Sequence, residues 1–292
     1  MPAVRGNAMT PFRLLLASLL LSTAATAAPL PGAQHDPHKL SASELHLFLP
    51  AVCKGAVATK HDFTCTALVG YPTDGAAFDA RSSKASGEIS LDAVAYGHFT
   101  GPNAQEAYVT YSGLESHAQN FGGGILLRGS DNGWKPIRWF AGGQMDHCVS
   151  LPDPGPARML CLTGYTGMGE TDSSVWLVDL SGPGGALRRM DVLKAQDGRE
   201  AAADDNGGDY YCKGAASSHR AMLLSIDDLT RGHEDGVIAV SKISYATAAD
   251  VGQACAHNGF ADMDANNGVV RYRFVQGAIK LDPPPKFAPV DY

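Results

Sequence analysis

The stretch Ala93-Val-Ala-Tyr-Gly-His-Phe-Thr-Gly-Pro-Asn-Ala-Gln-Glu-Ala-Tyr-Val-Thr-Tyr111 decides the fold. It holds an apolar run, a short polar turn with Thr and Gly, an acidic residue and a second apolar run. The phrase returns as Leu223-Leu-Ser-Ile-Asp-Asp-Leu-Thr-Arg-Gly-His-Glu-Asp-Gly-Val-Ile-Ala-Val240. His147-Cys-Val-Ser-Leu-Pro-Asp-Pro-Gly-Pro-Ala-Arg-Met-Leu-Cys-Leu162 keeps the rhythm around a Pro-rich turn. A repeat of this size predicts stacked β-units that bury their apolar faces against one another.

Working outward, a first unit covers about 89–141. Its strands are expected at Ile89 to Phe99, Ala107 to Tyr111, Gly124 to Arg128 and Lys135 to Phe140, and Asp131-Asn-Gly133 marks a hairpin between the last two. A second unit covers about 144–193, with its third strand at Val175 to Leu180 and a turn at Gly182-Pro-Gly-Gly185. Ala195 to Gly214 reads as an acidic, Gly-rich insertion. A third unit covers about 222–281, with a long connection from Thr247 to Asn267. The expected fold is all-β, a propeller-like array of about three to four four-stranded units, with Cys53 to Val69 as a degenerate fourth. A β-sandwich built from the same strands is the alternative.

The N-terminus reads as a targeting segment. Arg5 and Arg13 precede the apolar run Leu14 to Leu21, and Ala25-Thr-Ala27 matches a small-residue cleavage site. The expected order is a signal peptide over 1–27, a flexible leader over 28–50, one β-repeat domain over 51–285 and a tail over 286–292. Within the leader, Ala42 to Leu49 predicts a short helical turn, capped by Ser43 and stopped by Pro50. The expected product is a soluble periplasmic or secreted protein. Its formal charge of -7 becomes -9 once Arg5 and Arg13 are removed. Nucleic acid and anionic membrane are disfavoured as partners, because both need a basic surface. A basic protein partner fits.

Six Cys in an exported chain predict three disulfides. Spacing favours Cys53 with Cys65, Cys148 with Cys161 and Cys212 with Cys255. The middle pair is expected as a cross-strand staple beside the Pro152 to Pro156 turn. With no C-x-x-C present, thioredoxin-like chemistry and a zinc ribbon are poorly supported.

The phrase between strands resembles the FG-GAP or VCBS-type repeat, whose turn reads roughly D-x-N-x-D-G-x-x-D before an apolar strand. Asp228-Leu-Thr-Arg-Gly-His-Glu-Asp235 matches the first and last acids and is one residue short. His98-Phe-Thr-Gly-Pro-Asn-Ala-Gln-Glu106 has full length, with His98 and Pro102 where acids belong. The resemblance implies propeller-like blades and turn acids that hold calcium. The departures remove most oxygen ligands, whereas calcium takes six to eight. No cofactor other than calcium is raised by these motifs.

Asp262-Met-Asp264-Ala-Asn266 places oxygen-bearing side chains at alternate positions, a spacing that suits a metal loop as well as an ordinary turn. Asp204 to Asp209 is a second acidic cluster. Neither H-E-x-x-H nor G-x-S-x-G occurs, which leans away from an enzyme. His147 beside Cys148 makes a Cys-His pair only if Cys148 is a free thiol. The loops between strands two and three of each unit are expected to gather on one rim, where such folds bind. Glu115, His117, Phe121, Tyr165, Glu170, Tyr245 and His257 are the candidate binding side chains. The leading expectation is an exported macromolecule-binding protein acting through these loops, of the inhibitor or immunity type against a cell-envelope hydrolase. The alternatives are a metal-assisted hydrolase or lyase acting on a glycan or phosphoester, and a carbohydrate-binding module.

Overall fold

The computed structural model describes residues 36–60, 62–72, 87–114, 122–142, 147–152, 155–167, 170–199, 212, 221–257, 259–260 and 262–283. Short elements come first: β1 (His38–Lys39), α1 (Ala42–Val52), β2 (Cys53–Lys54), β3 (Val57–Ala58), β4 (Phe63–Cys65) and β5 (Ala67–Leu68). Three antiparallel meanders follow. Sheet 1 centres on β6 (Gly87–Gly97), β7 (Glu106–Ser112), β8 (Gly122–Ser130) and β9 (Gly133–Ala141). Sheet 2 is β10 (His147–Ser150), β11 (Arg158–Gly167), β12 (Glu170–Asp179) and β13 (Arg188–Asp197). Sheet 3 is β14 (Met222–Arg231), β15 (Val237–Ala246), β16 (Asn266–Val275) and β17 (Ala278–Asp282), with α2 (Ala248–His257) between β15 and β16. The fold is therefore all-β, with each repeat of the turn phrase opening one four-stranded meander.

The core is layered in the way the strand period of two dictates. On β7, Ala107, Val109 and Tyr111 point into a cluster with Phe48, Leu49 and Val52 of α1. Tyr108 points the other way, into a cluster shared with Met159, Cys161 and Val178 of sheet 2. Burial on both faces explains why β7 is buried from Glu106 through Tyr111. The far face of sheet 2, with Leu160, Val175 and Leu177, packs on Ile226, Ile243 and Tyr272 of sheet 3. The outer face of sheet 3 is polar. Register sets Asp228 beside Lys242 and Arg271 beside Asp282 on it. At one end of that face, Met222 and Leu224 pack under Val251 and Ala254 of α2.

The N-terminal region departs from expectation. Residues 36–50 are not a loose leader: β1 pairs with β6, and Phe48 is buried against Trp134 at a ring separation of 5.2 Å. The helix is capped by Ser41 rather than Ser43, because Glu44 completes a reciprocal pair with Ser41. Glu44 Oε2 accepts from Ser41 N–H at 2.9 Å. Pro50 lies inside the last turn instead of stopping it. It removes one backbone donor, while buried Phe48, Leu49 and Val52 hold the turn beyond it. Asp36 accepts from Ser150 N–H at 2.9 Å and pairs with Arg231, so one side chain joins sheets 2 and 3. Cys53 to Val69 does not form a fourth meander. Its strands are two or three residues long; β4 extends sheet 1, and β2 pairs with β5. The long connection of unit three contains α2, whose start is tied by Asp250 Oδ2 accepting from Thr247 N–H at 2.8 Å.

The disulfides are Cys53–Cys65, Cys148–Cys161 and Cys212–Cys255. Cys148 stands opposite Cys161 in register with Cα atoms 4.1 Å apart, a cross-strand staple. Cys148 therefore carries no free thiol to partner His147. Among the described residues no helix is long and apolar enough to cross a membrane.

The repeat turn of unit one is held by protein groups. Glu106 is fully buried. Its carboxylate accepts from Thr100 N–H at 2.8 Å, Thr100 Oγ1 at 2.6 Å and Arg128 Nη2 at 2.7 Å. In unit three the corresponding cation is Arg273, whose Nη1 donates to the Asp235 carbonyl at 2.8 Å. Each arginine comes from the third strand of its own sheet.

Candidate functional site

The β11–β12 hairpin carries one polar face into a cleft of about 340 Å³. Alternation along β12 sends Ser173, Val175 and Leu177 toward sheet 3 and leaves Asp172, Ser174 and Trp176 facing the opposite way. Ser173 Oγ accepts from Ile226 N–H at 2.8 Å, which fixes that orientation. Register then builds cross-strand rows: Tyr165 with Asp172 and Gln196, and Thr163 with Ser174 and Lys194. A register shift between Val175 and Trp176 sets Trp176 opposite Asp191. Side chains opposed in this way have Cβ atoms about 5 Å apart, close enough to act together.

Sheet 1 supplies part of the wall. Gly142 lines the cleft, and its carbonyl accepts from Arg189 Nη1 at 2.9 Å. The same guanidinium lies 4.7 Å from the Trp176 ring centroid, a cation–π stack. One ligating mode of Arg189 and one face of Trp176 are thus engaged within the protein. Tyr165 is 38% exposed, the most open aromatic among the described residues.

Two oxygens in the Tyr165 row stand out. Asp172 Oδ1 and Gln196 Oε1 are buried without a hydrogen-bond partner among the described residues. Gln196 is only 5% exposed, and its amide nitrogen reaches Glu170 Oε2 at 3.5 Å. Native structures satisfy the great majority of such atoms, so a facing pair of orphan acceptors calls for an explanation.

Of the rim side chains expected from sequence, Tyr165 lines this cleft, and Glu170, at the start of β12, accepts from the Gln196 amide outside its lining. Tyr245 is half-buried at the edge of the core between sheets 2 and 3, with its backbone carbonyl accepting from Asn266. His257 lines a second pocket of about 350 Å³ with Asp250, Asp262 and Asp264. Asn266 does not join Asp262 and Asp264 as a third ligand. Its Nδ2 donates to Asp250 Oδ2 at 3.0 Å. The Thr247 hydroxyl and backbone N–H, together with the Asn266 amide, hold the Asp250 carboxyl below its ordinary range. Among the described residues no three His, Cys, Asp or Glu side chains converge as a metal set. Glu115, His117, Phe121 and the Asp204 to Asp209 cluster lie outside the described residues.

Gly142 N–H donates to the Gly122 carbonyl at 2.7 Å, which puts the start of β8 beside the cleft. Arg199, just after β13, is gripped by Asp197 and donates to the Met263 carbonyl at 2.8 Å, beside the second pocket. Sequence reasoning missed Asp172, Trp176, Arg189, Asp191, Lys194 and Gln196. The spacing of Asp172, Ser174 and Trp176 by two was the available signal.

No family model, no curated protein and no solved structure matches this chain.

Proposed function

We propose that this chain is an exported binding protein that grips a basic macromolecular partner at the rim, in the manner of an inhibitor or immunity-type protein for a cell-envelope hydrolase. The observation that carries the reading is the cleft itself: exposed Tyr165 near the end of β11, beside a wall where Asp172 and Asp191 stand with Lys194 and with Arg189, whose guanidinium is already engaged by Trp176 and the Gly142 carbonyl. An open aromatic anchor beside carboxylates is the composition that concentrates interface energy and steers a positively charged partner. The net charge of -7 supports the same choice. Three disulfides suit an oxidising compartment. The relation of the turn phrase to the FG-GAP or VCBS-type repeat belongs to this proposal as well.

The test is crosslinked capture from the cell-envelope fraction, followed by affinity measurement on the captured protein. Tyr165→Ala should weaken binding by more than about 1 kcal/mol while leaving the fold intact. Undiminished binding by that variant would move the site away from the cleft. A second reading, metal-assisted hydrolysis, draws support from Asp250, His257, Asp262 and Asp264 sharing one pocket. Metal-dependent turnover abolished by Asp262→Ala with Asp264→Ala would favour it over the binder.

A further inference from the structure

Resting on that binding reading, we propose that the Tyr165–Asp172–Gln196 row is a socket for one cationic side chain, a lysine or arginine, presented by the partner. No donor of the row reaches its two buried acceptor oxygens. Asp172 Oδ1 and Gln196 Oε1 are both buried and both unpartnered among the described residues, and register places the two residues side by side on neighbouring strands. A group that answers both must bring at least two hydrogens. A guanidinium offers five donors in a planar fork and an ammonium offers three.

The surroundings select a cation over a neutral donor. Asp172 is a carboxylate, and Glu170 stands on the same face of β12, joined to the Gln196 amide. Tyr165, opposite Asp172, presents an exposed ring on which a cation can rest. The resident cations occupy other rows of the cleft. Arg189 is stacked on Trp176 and bonded to the carbonyls of Ala141 and Gly142. Lys194 stands in the next row, with Thr163 and Ser174. Its long stem makes it the intramolecular competitor for the socket.

The experiment titrates the full chain with methylguanidinium chloride at constant ionic strength. Backbone amide shifts of Tyr165, Asp172 and Gln196 give the readout, with N-methylurea as the neutral probe of similar shape. Saturable shifts confined to this row are expected, with N-methylurea at least tenfold weaker. Asp172→Asn, which keeps size and removes charge, should weaken methylguanidinium at least tenfold, and Lys194→Met should tighten it severalfold. Equal affinity for N-methylurea, or undiminished binding by Asp172→Asn, would overturn the socket. If Asp172→Asn does not fold, Gln196→Glu replaces it: tighter binding by threefold or more supports the socket, and weaker binding sinks it. No macromolecule enters this titration, so its outcome is separate from that of partner capture. Capture that survives Asp172→Asn alongside a failed titration removes the socket and leaves the binding protein. A positive titration with no partner captured leaves the socket and removes the protein-binding reading.

Discussion

Glu106→Gln probes what holds the repeat turn of unit one. The native carboxylate is fully buried and satisfies three donor groups, the N–H and hydroxyl of Thr100 and the Arg128 guanidinium. Glutamine has the same size but only one carbonyl oxygen. If that oxygen replaces Oε1, it keeps the Thr100 hydroxyl and Arg128, and the new NH₂ faces the Thr100 N–H. A buried backbone donor is then stranded, at about 1–3 kcal/mol, and the remaining bonds lose their charge assistance, worth roughly another 1 kcal/mol. Arg128 is 51% exposed, so water recovers most of its charge and it adds little. The expected loss is about 2–4 kcal/mol, measured by urea unfolding at neutral pH through tryptophan fluorescence with an unchanged slope. A loss below about 1 kcal/mol would refute the assignment of Glu106 as the turn's anchor. In an Arg128→Met background most of the loss should persist. If it vanishes, the anchor is the ion pair and not the Thr100 backbone.

Other expectations follow from equally local features. Replacing Cys148 and Cys161 together by Ser should lower stability by about 3 kcal/mol, the loop-entropy value for a closure of this length, as read by urea midpoint. Gly124→Ala would bring a Cβ to 2.0 Å from the Tyr108 hydroxyl oxygen and 2.1 Å from its ring Cζ, so it should cost roughly 1–3 kcal/mol by urea midpoint, and Tyr108→Phe, which keeps Cζ, should not rescue it. Burial disfavours the charged form of Glu44, but bonds from the Ser41 N–H and hydroxyl, His38 and Tyr96 outweigh it and hold the carboxyl down from 4.5 to about 2. A lowered folded value means the stabilisation is complete above pH 4.5 and is lost as pH falls toward 2. Glu44→Gln should flatten the acid limb of the stability profile across that window, and an unaltered limb would reject the assignment.

The sequence-to-structure correspondence is uneven for physical reasons. The turn phrase, the alternation of apolar residues and the cysteine spacings are local signals, and they located the three meanders and the disulfide pairs. The role of Asp36 was not legible, since its partner Arg231 lies 195 residues away. The α1 cap was readable but misassigned by two positions: Glu44 stands three after Ser41, and that reciprocal spacing outranks a lone Ser43. Helix α2 was hidden in a connection expected to be irregular, although Val251 and Ala254 have helical spacing and are buried on one side. The cleft was the hardest to foresee. Tyr165 could be named from a Gly-rich stretch expected to be a loop, which instead continues β11 and pairs with β12, but Asp172 and Gln196 become neighbours only through the register of three strands.

Asp36 also counts the sheets. It touches Ser150 at the edge of sheet 2 and Arg231 at the edge of sheet 3 at once. Packed sheets sit about 10 Å apart. An extra meander inserted between these two would part Ser150 from Arg231 by that distance and leave one of them beyond the reach of a single aspartate. A meander added after β17 would instead have to bury the charged pairs Asp228–Lys242 and Arg271–Asp282 of the outer face. Tandem duplication, the ordinary route by which repeat arrays lengthen, is therefore penalised in both places among the described residues, by a salt bridge between sheets and by charges on an outer face.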